Sequence, residues 1–424
     1  MSTVLILKEI HPLQQLLDRT NGDAQEILQR ARYAGDPPRC LCRDDDQPRY
    51  LAIKHYPDSD DLYLAKLPDT GFQHAESCPY QLETSPGSGI SQPAVQGRVD
   101  GFLDFNLAFS LTRSKPSTPS DRQTPRGKRH DSAQSRSRVG LGGLLERFWA
   151  EAGLNRWPHA EHFFSINTPS KRLKAVVARS TFNDGHCLEN SLVIPIWQEQ
   201  PGLSRDENRQ QVLEAHRNEA IRKTQDENRG IVLIGRLVRW IPSSRQEGGA
   251  GLSLDLFPDL LWMGSELAKK VDSSLGYGRR ASAEIAMPDR YIMVACLVFR
   301  KGNSWVAEDV ALLRVSPEFI PADSGYELEV IRQLIEERRH FVKPLRMRPD
   351  EELLPDFQLL DTDPAYCLEV YGIDRDEKYL QRKAEKVRWY QRRQIPCWTW
   401  EPTTEKNMPP FPSARKKRDE GRNH

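Results

Sequence analysis

Four residues in the first eighty have the types and spacing of a metal site. Cys40 and Cys42 are separated by one residue, and His74 and Cys78 stand four positions apart further on. Three thiolates and an imidazole form the soft donor set of a tetrahedral structural zinc site, with Zn–S near ~2.3 Å and Zn–N near ~2.1 Å. The 32 positions from Cys42 to His74 are long for a finger but suit a small β-knuckle, and Asp69-Thr70-Gly71 gives the bend that aims His74. A single site requires the four ligand atoms to converge to within ~4 Å of one another. The alternative is three unpaired buried thiols and a coincidental histidine. The other cysteines, Cys187, Cys296, Cys367 and Cys397, stand singly and read as small core hydrophobes.

A second pattern lies near the C-terminus, where Pro355-Asp356 is followed 13 positions later by Glu369, in Glu369-x-Tyr371. The turn Asp361-Thr362-Asp363-Pro364 between them predicts two adjacent strands. Side chains alternate along a strand, so Cys367, Glu369 and Tyr371 share one face while Leu368 and Val370 share the other. A carboxylate in mid-strand among apolar residues is costly to bury unless it is paired or bound to a cation. Asp356 and Glu369 together would offer hard oxygen ligands to Mg²⁺ or Mn²⁺, and such an ion can activate water against a phosphodiester. This predicts two carboxylates about 4–6 Å apart in an open cleft, with at least one pKa raised by mutual repulsion. The alternative is that Asp356 caps a turn and Glu369 pairs with a helix Lys or Arg.

Composition limits what surrounds these residues. In 424 residues, 61 Lys and Arg oppose 60 Asp and Glu, a formal charge of +1. That excludes a uniformly basic nucleic-acid coat and a uniformly acidic tail protein. With 38% hydrophobic residues, 29% charged residues and 30 prolines, long loops are expected. No apolar run approaches the ~20 residues of a membrane span. The start, MSTVLILKEI, lacks the basic region of a signal peptide. Seven scattered cysteines fit a reducing compartment, so a cytoplasmic protein with no membrane contact is expected.

Five segments follow from the patterning. Residues 1–84 read as a small zinc-knuckle-like domain with a helix over Ala24–Tyr33, stopped by Asp36-Pro37-Pro38, and strands at Arg49–Ile53 and Leu62–Lys66. Residues 85–138 read as a mostly disordered basic linker with one apolar island, Gly101–Leu111. From Arg113 to Arg138, eight basic residues oppose two acids, a local +6 that can tether phosphate backbones. Residues 139–322 read as a central mixed α/β region. Helices are predicted over Leu141–Ala152, stopped by Gly153, and Gln210–Lys223, and strands at Ser191–Trp197, Gly230–Trp240 and Tyr291–Phe299. Leu256–Lys270 reads as helical in its second half. This region shows no phosphate loop or nucleophile motif, and His159, His162 and His186 read as ordinary histidines. Residues 323–402 alternate helix, three strands, helix, strand. Their helices run from Ser324 through Leu328, Ile331 and Leu334, and over Asp376–Arg393; the strands are His340–Leu345, Pro355–Asp361, Tyr366–Tyr371 and Pro396–Trp400. Residues 403–424 read as a disordered basic tail. The fold class expected is multidomain α+β.

The α-β-β-β-α-β order of residues 323–402, with Pro-Asp…Glu, resembles the PD-(D/E)XK nuclease superfamily. The resemblance implies a restriction-endonuclease-like domain in which Asp356 and Glu369 are the catalytic metal ligands. The superfamily places a lysine two residues after the Glu, where this chain has Tyr371; Lys383 or Lys386 of the following helix would then supply it. Glu327 matches the superfamily's first-helix Glu, and equally completes a capping box with Ser324. The whole chain also resembles a family of uncharacterised bacterial proteins marked by three N-terminal cysteines, matched here by Cys40, Cys42 and Cys78. Leu144–Trp157 (LLERFWAEAGLNRW) and Glu369–Lys386 are similar to its segments. That resemblance implies carriage on integrating or conjugative elements. Two functions are therefore expected as alternatives: a metal-dependent DNA nuclease of such an element, or a catalytically silent zinc-containing protein that binds DNA or a partner.

Overall fold

The computed structural model describes residues 3–16, 21–34, 37–45, 47–55, 62–66, 74–75, 78, 80, 95–97, 102–113, 138–158, 167–182, 186–224, 228–276, 279–345, 354–373, 377–392 and 394–415. Two units interleave along the chain: residues 1–141, 174–193 and 222–231 make the first, and the remainder makes the second.

In the first unit β1 (Thr3–Ile6) pairs antiparallel with β2 (Glu9–Pro12), which runs into a short α1 (Leu13–Leu16). Ala24, Leu28 and Ala31, all fully buried, give α2 (Gly22–Ala34) its apolar stripe. Asn21 caps α2 by accepting the Ala24 N–H at 3.2 Å. Burying a leucine such as Leu28 stabilises by roughly 1.5–3 kcal/mol. β3 (Arg39–Cys40) pairs with β1, setting Cys40 opposite Val4. β4 (Leu51–His55) and β5 (Leu62–Lys66) form an antiparallel pair. The Gln25 amide clips α2 to β5, accepting the Leu62 N–H at 2.7 Å and donating to its carbonyl at 3.1 Å.

Part of the expected linker is sheet. β6 (Val95–Gly97) pairs with β7 (Leu103–Phe105). The apolar island thus finds strand partners that its local sequence did not reveal. The +6 stretch from residue 114 to 137 lies outside the described residues. The chain continues through α3 (Leu141–Glu151), β8 (Arg156–Trp157) and α4 (Thr168–Val177). β9 (Ser180–Phe182) then runs parallel to β7 and pairs with β10 (His186–Cys187). A short β11 (Leu192–Val193) follows.

In the second unit α3 buries Leu144, Leu145, Phe148 and Trp149, and Gly153 stops it with φ +65°, the left-handed conformation that favours glycine. Trp149 donates its indole N–H to the Phe319 carbonyl at 2.9 Å. A capping box between Ser204 and Glu207 starts α5 (Arg205–Lys223). β12 (Ile231–Pro242), β13 (Ala250–Leu254) and β14 (Leu260–Met263) make an antiparallel meander. After α6 (Ser265–Asp272) and α7 (Ala281–Glu284) come β15 (Tyr291–Lys301) and β16 (Ser304–Val315), a long antiparallel pair. β14 pairs parallel with β16, and β12 also pairs with β15. The five strands therefore close on themselves in the order β12-β13-β14-β16-β15-β12. Leu256–Lys270 is helical in its second half as expected, where α6 begins at Ser265; its first half carries strand β14, paired on both sides.

The C-terminal sheet has the order β20-β19-β18-β17-β8. α8 (Gly325–Glu336), β17 (Phe341–Val342), β18 (Phe357–Leu359), β19 (Cys367–Val370), α9 (Glu377–Arg392) and β20 (Cys397–Trp400) follow the expected element order. β19 and β20 are parallel and the other neighbours antiparallel; β8, from far upstream, completes the edge beyond β17. Leu328, Ile331 and Leu334 of α8 pack on Phe357, Leu359, Leu368 and Val370. Residues 403–415 are not a loose tail. Trp398 donates to the Pro410 carbonyl at 3.1 Å and its ring meets Phe411 at 5.0 Å, while the Arg415 N–H reaches Asp361 O at 2.7 Å. Apolar Met408 and Phe411 among the prolines give this segment something to bury. Residues 416–424 lie outside the described residues.

Candidate functional site

The first site is built at the end of β3. The Cys40 N–H donates to the Arg49 carbonyl at 2.7 Å and Leu41 to Thr3 at 2.9 Å, so the chain leaves the sheet and turns back with Cys42 beside Cys40. Arg49, buried, is held by Asp45 within that turn. The Cys78 N–H closes a turn onto the Ala75 carbonyl at 2.9 Å, bringing His74 and Cys78 to the same point. The expected Asp69-Thr70-Gly71 bend lies outside the described residues.

Cys40, Cys42, His74 and Cys78 offer ligand atoms that all lie within 4.8 Å of one another. Cys40 Sγ is 3.7 Å from Cys78 Sγ, and His74 Nδ1 is 3.5 Å from Cys42 Sγ and 3.6 Å from Cys78 Sγ. A tetrahedron with zinc-like bond lengths has edges of ~3.6–3.8 Å; the outer bound is somewhat wider than the ~4 Å expected. Cys42 Sγ also accepts the Ala75 N–H at 3.2 Å, and Arg43 donates to the His74 carbonyl at 2.9 Å, so neighbouring groups hold the ligands in place. His74 is fully buried, and Cys40 and Cys78 nearly so. Burial, then the neighbouring Cys78, pushes the Cys40 thiol upward, and burial does the same to Cys78. A bound cation reverses that preference, because it stabilises thiolate. The four residues could hold a metal ion, consistent with structural zinc. Of the remaining cysteines, Cys296 and Cys367 are buried as expected, whereas Cys187 on the short β10 is exposed.

The second candidate site sits on the C-terminal sheet. One position beyond the pair Phe357↔Leu368, Asp356 stands opposite Glu369. Phe357 and Leu368 point to the α8 side, which turns Asp356 and Glu369 toward the other face. Asp356 accepts the Val370 N–H at 2.8 Å. The expected face division holds: Leu368 and Val370 join the apolar core, and Glu369 meets α9. Glu369 does not open onto a cleft; it is 1% exposed. Lys386 Nζ lies 2.7 and 2.9 Å from its two oxygens, and the Tyr390 hydroxyl donates to it at 2.6 Å. Burial, then the Asp356 charge, pushes Glu369 up to about 7 against the pull of Lys386. Lys383 goes elsewhere: it pairs with Glu401 at 2.6 Å and sits 4.7 Å over the Tyr371 ring. Among the described residues the buried Tyr371 hydroxyl has no hydrogen-bond partner.

Glu327 is part cap and part ion pair. Ser324 Oγ accepts the Glu327 N–H at 3.1 Å, and the Glu327 carboxylate accepts the Asp323 N–H at 3.0 Å. The same carboxylate lies 2.6 Å from Lys343, which also reaches Asp323 at 2.8 Å. Burial pushes Glu327 up to about 8; Lys343 opposes this, and Asp323 and Asp356 add to it. Burial lowers the Lys343 pKa, yet Asp323, Glu327 and Asp356 outweigh it and hold the ammonium. Sequence reasoning missed Lys343, and gave Tyr390 no role although it lies at helical spacing with Lys383 and Lys386. A lysine directly after the apolar pair Phe341-Val342 was the available signal for the first. A cleft of about 820 Å³ in the same unit, lined by Arg279, Tyr326, Trp400 and Lys406 among others, contains none of these groups.

A family model described as "Protein of unknown function (DUF1173)" matches residues 13–403. The chain belongs to the DUF1173 family. The match takes in all four metal-cluster residues and the carboxylates of the C-terminal sheet. No curated protein matches the chain. No solved structure matches it either. Within the described residues of this DUF1173 chain, no helix is long and apolar enough to cross a membrane.

Proposed function

We propose that the C-terminal sheet with α8 and α9 is a divalent-metal-dependent nuclease acting on DNA, and that Cys40, Cys42, His74 and Cys78 hold a structural zinc ion. The observation that carries the nuclease reading is the opposition of Asp356 and Glu369 on adjacent strands, with Lys386 from α9 at 2.7 Å. Asp356 and Glu369 are the residues that would hold Mg²⁺ or Mn²⁺, supplying a Lewis acid and an activated water. Lys386 takes the position that Tyr371 cannot fill, where an ammonium orients water or steadies developing phosphate charge. The orphaned Tyr371 hydroxyl faces the same side as Glu369 and suits a bound water or ion. The zinc reading rests on the donor set and on the near-tetrahedral spacing of its ligand atoms.

A second reading has its own support. Glu369 is almost fully enclosed and already neutralised by Lys386 and Tyr390, which suits a silent platform that binds DNA or a partner. Supercoiled plasmid nicking with Mg²⁺ or Mn²⁺ separates the two. Under the nuclease reading, Glu369→Gln lowers nicking by orders of magnitude while DNA binding is retained. Nicking by Glu369→Gln at the parent rate, or none by the parent, gives the site to the silent platform.

A further inference from the structure

The central barrel carries neither the cysteine cluster nor the carboxylate pair, and its connectivity is specific. Strands β12 to β14 form a meander, β14 pairs parallel with β16, and β15 returns to β12, giving the closed order one-two-three-five-four. A helix, α6, lies between the third and fourth strands. β12 is long enough to pair with two neighbours, and its register shifts between Leu237 and Arg239. This is the plan of the five-stranded Greek-key barrel that binds oligomers across the outer face of its second and third strands.

That outer face is built here for stacking. Leu252 and Leu261 pair and are fully buried, and so are Ala250 and Met263, so these fill the barrel. The alternate pairs, Gly251↔Trp262 and Ser253↔Leu260, therefore take the outer face, where the two β13 residues are themselves buried. Trp262 lies across Gly251: a Cβ there would come within 3.0 Å of its six-membered ring. Only glycine lets the indole lie against the strand and leave its other face outward. Leu260 and Trp262 are half-buried, whereas Arg239, across from Ser253 on β12, is exposed. The loops bounding the face carry exposed Arg245, between β12 and β13, and Lys301, at the β15–β16 turn. Among the described residues no carboxylate forms an ion pair with Arg239, Arg245 or Lys301.

We propose that the outer face of β13 and β14 binds single-stranded nucleic acid, with a base stacked on Trp262 and the backbone phosphates met by Arg239, Arg245 and Lys301. An unpaired base exposes a π-face that fits a flat indole, and base–aromatic stacking tolerates any sequence. In duplex DNA that face is taken up by neighbouring bases, so single strands are preferred. The site stands independently of the nuclease reading and would present a strand whether or not Asp356 and Glu369 are catalytic.

The test is fluorescence anisotropy of the full chain with a labelled oligothymidylate, a duplex of equal length and an oligosaccharide, without added divalent cation. Hydrolysis does not enter the readout, so failure of the nuclease reading leaves the result intact. The single strand should bind at least ten-fold more tightly than the duplex. Trp262→Ala should weaken it about ten-fold or more, Trp262→Phe should restore most of the loss, and Arg239→Ala should reduce the salt slope by ~0.7. Unchanged far-ultraviolet dichroism of Trp262→Ala confirms that the barrel is intact; if Trp262→Ala alters it, Arg239→Ala alone decides. Equal affinity for the duplex, binding of the oligosaccharide instead, or parent-like binding by Trp262→Phe, Trp262→Ala and Arg239→Ala together would overturn the proposal.

Discussion

The cysteine cluster and the carboxylate pair are both buried groups of like-charged ligands, but they are neutralised differently. Around Cys40, Cys42, His74 and Cys78 the fold supplies N–H groups that hold the ligands, and the buried Arg49, whose charge acts on Cys42 and Cys40, is itself tied to Asp45. Around Glu369 the fold supplies its own cation, Lys386, and a phenolic donor, Tyr390. The first arrangement could be completed by a metal ion; the second is closed without one. Ligand convergence therefore signals a metal far more strongly where the protein has not already filled the place with a side chain.

The largest expected effect tests the first half of that contrast. Cys78→Ser, or removal of the metal by a chelator, should unfold the N-terminal cluster, since structural zinc sites carry roughly 10 kcal/mol or more of apparent binding energy. Metal analysis should give one zinc per parent chain and a clear deficit in the variant. A metal-free parent with an unchanged melting profile would remove the distinction between the two sites. Next comes Lys386→Met, which strands Glu369 in a buried position without its cation. Destabilisation of roughly 3–5 kcal/mol is expected from denaturant unfolding. A cost below ~1 kcal/mol would show that Lys386 is not the balancing charge.

A smaller effect lies in pH. Glu369 rises to about 7 in the folded chain from an ordinary value of 4.5. The folded state thus holds its proton more tightly, and the stability this contributes is full below 4.5 and lost as pH rises through about 7. Unfolding followed between pH 4.5 and 7.5 should show that decline, to which Glu327, raised to about 8, adds in the same direction; Glu369→Gln should make it shallower, and an equal slope in both proteins would assign the titration to Glu327. The smallest change is expected from Lys383→Met. Its half-exposed pair with Glu401 should be worth ~0–1 kcal/mol. Nicking should be unaffected if Lys386 alone serves the carboxylates, and a large loss would bring Lys383 back into the site.

The C-terminal module was legible because its elements carry strong local signals. Leu328, Ile331 and Leu334 mark α8 by period, Ser324 marks its start, and the alternation at 367–371 fixes which side Glu369 takes. The choice between Lys383 and Lys386 was not legible, since two residues three positions apart on one helix differ only by a rotation that packing sets. Lys343 escaped for a related reason: its partners Asp323 and Glu327 are distant in sequence. The barrel was the main omission. β13 and β14 are short, and Gly251 interrupts β13. Glu308 and Asp309 and the shift between Leu297 and Val298 break the alternation of β16 and its partner. The cysteine cluster was readable from donor type and spacing alone, although strand β3, which positions Cys40, is only two residues long.

The segment that closes over β20 changes where this protein ends as a folded object. The family match stops at residue 403, yet Trp398 and Trp400 are covered by residues 405–411, and Arg415 ties the strap back to Asp361 and Asp363. A chain trimmed at the boundary of family similarity would bare two tryptophans on a sheet edge and become sticky rather than shorter. The unit recognised by family similarity and the packed C-terminal sheet with its strap differ here by about a dozen residues.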